Sequence, residues 1–259
     1  METKILGTTM PVLEVILQPG ESIVAEPGEL GWMTDHIQLR TSTQLAGAKG
    51  IFGALKRAIG GGGLFMTEYS AANGAGMVAF PTKVPGEIFP ITIAPGQGYM
   101  VHRHGLLCAT HGVEVSVGFQ RSLGAGVFGG TGFILQKLAG SGQAWIELDG
   151  EVASYELKPG ETLRVNPGHV AMFEDQVQFN ITTIPGITNV LFGGDGLFLA
   201  SLTGPGRVWL QSLPLSHLAH AIAHYLPGEG GRGVSGGNVA AGVTGGLLGA
   251  VMREMTDND

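Results

Sequence analysis

Three stretches of the chain alternate apolar and polar residues with a period of two. Ile37, Leu39 and Thr41 share one side of the first, Val113, Val115 and Val117 of the second, and Val177, Phe179 and Ile181 of the third. That period predicts strands with one buried face. Two short strands precede each stretch, joined by a tight turn: 12–18 and 22–26 around Pro19-Gly20-Glu21, 88–94 and 98–102 around Pro95-Gly96-Gln97, 152–158 and 162–166 around Pro159-Gly160-Glu161. Proline presets φ, and glycine accepts the positive φ such turns need. A second turn follows as Pro27-Gly28 and Pro167-Gly168, with Arg103-His104 in the middle.

A glycine phrase closes each set. The third reads Gly193-Gly194-Asp195-Gly196, an apolar run, Gly204-Pro205-Gly206 and Trp209. The second reads Gly129-Gly130-Thr131-Gly132, an apolar run, Gly140-Ser141-Gly142 and Trp145. A looser copy runs from Gly62-Gly63-Leu64-Phe65-Met66 through Asn73-Gly74 to Met77. Pro95 and Pro159, Phe128 and Phe192, and Trp145 and Trp209 are each 64 residues apart. Pro19 and Pro95 are 76 apart and Met77 and Trp145 are 68 apart, which places about eight extra residues of the first copy between Thr43 and Gly63. A shared offset across several landmarks marks an internal triplication.

The prediction is an all-β fold, a triplicated β-sandwich or barrel with roughly five strands per repeat and about fifteen in all. The repeats span about 11–85, 86–148 and 149–213 and are expected to bury a common core about a pseudo-threefold axis. Residues 214–226 form a closing helix, completing a single domain over 1–226. Residues 227–259 are a Gly-rich tail with a short helix. The helix at 214–226 follows Pro214 and ends before Pro227. It sets His217, His220 and His224 on one face and Leu218, Ala221, Ile222 and Tyr225 on the other.

Charge narrows the function. The net charge is −7 and the chain has no basic cluster, which excludes DNA as a partner and argues against RNA. Cys108 is the single cysteine, so no intrachain disulfide forms. With no signal-like start and no apolar run of spanning length, a cytoplasmic location is expected.

Residues 193–214, ending Trp209-Leu210-Gln211-Ser212-Leu213-Pro214, and the repeated Pro-Gly-Glu turns resemble the mitochondrial-biogenesis family named for altered inheritance of mitochondria, over roughly residues 10–225. The resemblance implies three structural repeats, each similar to the tryptophan RNA-binding attenuation protein (TRAP-like), a short variant of the double-stranded β-helix. It supplies no catalytic residues. Mitochondrial relatives are associated with inner-membrane organisation, a location the N-terminus of this chain does not suggest.

Two histidine sets are metal-ligand candidates. His102 and His104 form a His-x-His pair, as in cupins, with His111 and Glu114 downstream. The cupin spacing is not kept, and His104 falls at a turn position, so polar turn residues are the preferred reading. His217, His220 and His224 are preferred as a solvated helix face. Glu26, His102 and Asn166 occupy one repeat position, a mixed polar set. No Gly-x-Ser-x-Gly elbow and no phosphate loop occur in the right setting. Cys108 lies in an apolar run and reads as a structural thiol.

The loops before the glycine phrases are apolar in all three copies: Ile51, Phe52 and Leu55; Leu123 and Phe128; Val190, Leu191 and Phe192. Repetition brings them to one end, where they predict either a contact surface or a core plug. The basic amphipathic stretch at 48–59 adds a membrane surface to the expected contacts. The expectation is a non-enzymatic homo-oligomeric scaffold or interaction module without a cofactor, contacting a protein partner or the periphery of a membrane. The alternatives are a metal-dependent cupin-like enzyme using His102 and His104, and a small-ligand or RNA-binding module.

Overall fold

The computed structural model of the chain describes residues 1–42, 66–121, 132–183, 198–223 and 225. A leading strand, β1 (Glu2–Leu6), precedes three sets of six. The first set is β2 (Val12–Leu17), β3 (Ser22–Ala25), β4 (Trp32–Met33), β5 (Ile37–Ser42), β6 (Met66–Ala71) and β7 (Gly76–Pro81). The second is β8 (Gly86–Ile93), β9 (Tyr99–His102), β10 (Leu106–Ala109), β11 (Val113–Arg121), β12 (Phe133–Gly140) and β13 (Gly142–Asp149). The third is β14 (Val152–Leu157), β15 (Thr162–Val165), β16 (Val170–Glu174), β17 (Gln178–Thr183), β18 (Phe198–Thr203) and β19 (Gly206–Gln211). Among the described residues one α-helix, α1 (Leu215–Ala223), follows.

The same four antiparallel pairings occur in each set: first strand with sixth, sixth with third, second with fifth, fifth with fourth. The turns behave as the sequence predicts. Gly20, Gly96 and Gly160 have φ of 87°, 84° and 80°, a region that only glycine enters freely. Glu21 and Glu161 accept hydrogen bonds at 2.9 Å from the N–H groups of Gln18 and Lys158, which explains the glutamate after Pro-Gly.

The sets are stitched together by sheets that cross their boundaries. Sheet 1 has the order β1-β2-β7-β4, sheet 2 β5-β6-β3-β10-β13-β8, sheet 3 β11-β12-β9-β16-β19-β14, and sheet 4 β15-β18-β17. Three apolar clusters fill the spaces between successive sheets. Leu13, Val15 and Phe80 of sheet 1 meet Ile23, Cys108 and Trp145 of sheet 2. Ile146 and Leu106 of sheet 2 meet Val101, Met172 and Trp209 of sheet 3. Phe133 and Phe173 of sheet 3 meet Ile181 and Leu202 of sheet 4. The cores therefore lie in series through four layers. The expected common core is not formed, because sheets 2 and 3 each bury both faces.

Burial on both faces also accounts for strands that the alternation does not reveal. Among the described residues each set has six strands, not five, and the extra one is the third. All four residues of β10 are buried, with Leu107 and Cys108 in one core and Leu106 and Ala109 in the next. An all-apolar run has no period to detect. Elsewhere the alternation overshoots: Leu39 and Val117 are exposed. A bulge between Val117 and Phe119 shifts β11, and it is Phe119 that packs on the third core. Met77 is not the counterpart of Trp145. Trp145 pairs with Pro90 and Trp209 with Ser154, while the matching partner in β2, Glu14, pairs with Ala79.

Ile222 of α1 and Tyr225 just beyond it are exposed, although the sequence set them on the apolar face of the helix. Leu218 is half-buried. The helix is held at its start, where the Asp149 carboxylate accepts from the Leu215 N–H.

Candidate functional site

Polar side chains gather where the first two cores end. Glu29 follows β3, Lys83 follows β7, and Glu147 sits in β13. Lys83 Nζ donates to Glu29 at 2.6 Å and to Glu147 at 3.2 Å. The other Glu147 oxygen accepts from the N–H groups of Lys83 at 2.6 Å and Val84 at 3.4 Å. Glu147 is only 1% exposed, so these bonds replace its water. Burial raises the Glu29 pKa, against the lowering effect of Lys83. Burial alone would depress Lys83, but the two carboxylates outweigh it and hold its pKa up. Every charge in this triad has a partner, and the arrangement locks sheet 1 to sheet 2.

Glu26 is next to it. Gln136 Nε2 of β12 donates to the Glu26 carboxylate. Burial, with a smaller contribution from the nearby Glu29 charge, pushes the Glu26 pKa up to about 7, although the Gln136 bond, Lys83 and Arg103 favour its anion. Gln136 Oε1 and Thr82 Oγ1 are buried without a hydrogen-bond partner among the described residues. His104 moves the other way: burial first, then Arg103, His102 and Lys83, bring its pKa down to about 4. His104 is therefore neutral at pH 7.

His102 Nε2 donates to the Glu147 carbonyl oxygen at 3.0 Å. That nitrogen carries its proton and is committed to the sheet. Glu26 and His102 do reach one polar region, but Asn166 does not join them. It caps the 3-10 turn at Pro167–His169 by accepting from the Gly168 N–H at 3.1 Å. Asp149 lies in the same region, its pKa raised by burial. His111 stands apart, 3.0 Å from Glu68. His217 packs edge-on against His169, with ring centres 5.1 Å apart. The side chains of His220 and His224 lie outside the described residues, as do Ile51, Phe52, Leu55, Leu123, Phe128, Val190, Leu191 and Phe192. Among the described residues, no three His, Cys, Asp or Glu side chains converge as a metal-ligand set. Cys108 is buried, and burial drives its thiol pKa well up.

The sequence does carry one overlooked signal for the triad. Glu147 and Asp149 interrupt the apolar run Ala144-Trp145-Ile146-Glu147-Leu148-Asp149. A carboxylate inside an apolar strand needs a buried partner.

The outer sheets present a different surface. Sheet 1 covers the first core with one face and exposes Ile16 and Trp32 on the other, with Met33 at its edge. No described helix is long and apolar enough to cross a membrane.

These features define an all-β protein of four layered sheets, with a paired Glu29–Lys83–Glu147 triad at the core ends and apolar side chains on an outer sheet. The family described as Mitochondrial biogenesis AIM24 matches residues 3–213, and the chain belongs to that family. The uncharacterized protein M6_Spy0233 of Streptococcus pyogenes serotype M6 is 25% identical over 223 residues, covering 84% of this chain and 87% of that protein. The crystal structure of protein SPYM3_0169 from Streptococcus pyogenes has a TM-score of 0.68 at 21% identity, covering 87% of this chain and 99% of that one. The latter likeness concerns the fold.

Proposed function

We propose that the chain is three tandem copies of a six-strand unit of TRAP-like type, acting as a non-enzymatic, oligomeric scaffold or protein-interaction module in the cytoplasm. The observation that carries this reading is the exposure of Trp32, Met33 and Ile16 on the four-stranded outer sheet. Exposed apolar side chains on a sheet face and along an open strand edge favour association. The Glu29–Lys83–Glu147 triad supports the same reading, because its charges are consumed by each other and by the backbone. The cupin-like alternative has no specific observation in its favour: among the described residues no third His, Cys, Asp or Glu converges with His102 and His104.

Light scattering at micromolar concentration tests the proposal. The expected mass is a multiple of the 26.8 kDa chain. Trp32→Arg should lower it while leaving the far-UV circular dichroism unchanged. A monomeric mass for the unmodified chain at every concentration would count against the reading.

A further inference from the structure

Sheets 2 and 3 are each made of two halves, one from each of two successive six-strand sets. β10 joins β3 with Ala109 opposite Val24. β16 joins β9 with Phe173 opposite Met100 and Met172 opposite Val101. A side chain just beyond the third strand clamps each joint. His111 Nε2 lies 3.0 Å from the Glu68 carboxylate and 2.8 Å from the Ser22 hydroxyl. Asp175 accepts from Lys137 Nζ at 3.1 Å, and its N–H donates to the Gly98 carbonyl at 3.0 Å.

Sheets 1 and 4 are the two halves of such a sheet, left unjoined. Among the described residues β4 pairs only with β7, and β15 only with β18. The repeat offsets of 76 and then 64 residues relate Met33 to Ala109 and Phe173, and Val24 to Met100 and Arg164. Asp35 takes the place of His111 and Asp175, and Thr162 the place of Ser22 and Gly98. Exposure shows which positions lack their cover. Trp32 is 47% exposed and Met33 37%, whereas Cys108, Met172 and Ala109 are 0% and Phe173 1%. Arg164 and Asp35 are exposed as well, and they carry opposite charges.

We infer that a second copy of this chain completes the unfinished sheet, its β4 edge pairing antiparallel with the β15 edge of the first. The register follows from the two joints already present: Met33 opposite Arg164, Trp32 opposite Val165, and Asp35 beside Thr162 and diagonal to Arg164. Cross-strand opposite charges favour this register. Trp32 is then carried against the third core of the other copy, where Leu163, Phe179 and Phe198 are only partly buried. Unpaired strand edges readily take up another strand. Each copy has one edge of each kind, at the first and last layers, so the contact is head-to-tail and heterologous. This inference rests on the interaction-module reading and names the partner.

The test mixes Met33→Cys protein with Arg164→Cys protein under mild oxidation. Cys108 is buried and stays out of the reaction. A disulfide-linked heterodimer is expected, since directly opposed residues have Cα atoms about 4.5–5.5 Å apart, within disulfide range. In the Met33→Cys/Arg164→Cys double variant, a ladder of linked chains is expected. Asp35→Arg should weaken association roughly five- to tenfold, and adding Arg164→Asp should restore it. An oligomer that gives no mixed disulfide and ignores the charge swap would overturn the edge pairing but leave the interaction-module reading. A double variant that closes only within single chains would overturn the pairing too. A monomer at all concentrations would overturn both.

Discussion

Lys83→Met should destabilise the fold by about 2–4 kcal/mol, read from the midpoint of a urea transition at unchanged slope. The lysine is flanked by Glu29 and Glu147, both nearly inaccessible to water. Removing the cation leaves two buried carboxylates without a countercharge, and that desolvation cost dominates. The Lys83 side chain is 34% exposed, which places the expected loss below that of a fully buried pair. Adding Glu29→Gln to Lys83→Met should recover part of the loss by deleting one orphaned charge. Glu147→Ala should be worse than Glu147→Gln, because the Lys83 and Val84 N–H groups lose their acceptor. A cost below about 1 kcal/mol for Lys83→Met would mean that the triad is solvated and does not hold sheet 1 to sheet 2.

Glu26→Gln should stabilise the protein at pH 8 by about 2–3 kcal/mol more than at pH 4.5. The Glu26 pKa is raised from 4.5 to about 7 in the folded chain. A raised carboxyl binds its proton more tightly when folded, so its contribution is full at low pH and is lost as pH rises through about 7. The glutamine has no proton to lose. His104 has the opposite sign: its pKa is depressed from 6.5 to about 4, so its contribution is present above 6.5 and lost as pH falls through about 4. Between about 4.5 and 6.5 the two slopes oppose each other in the unsubstituted protein, and Glu26→Gln should expose the histidine slope alone. Parallel stability-versus-pH curves for the two proteins would refute the assignment to Glu26.

What the sequence made legible follows from which faces are buried. Strands with one wet face, such as β17, announce themselves by alternation. The strands β10 and β16, dry on both faces, do not, although they bridge the sets and build the middle sheets. The 64-residue offset carried over into strand register, because Trp145 and Trp209 pair at the same point of their hairpins. The first-copy landmark Met77 failed, because the strand position matching Trp145 is Ala79, after the looser turn at Ala72–Ala75. The polar region was half visible: repeat position alone led to Glu26 and His102. Their partners Gln136 and Glu147 lie 110 and 45 residues away along the chain, distances that no local motif spans. The unfinished end sheets could not be read at all from composition, since Trp32 resembles any other aromatic residue until the strands beside it are known.

Hydrogen–deuterium exchange across a dilution series tests the central claim, that the outer sheets are open halves completed by another copy. Amides of β4 and β15 should gain protection as concentration rises, while those of β3, β9, β10 and β16 remain protected throughout. Rapid exchange of β4 and β15 at every concentration, or protection that does not change on dilution, would contradict it.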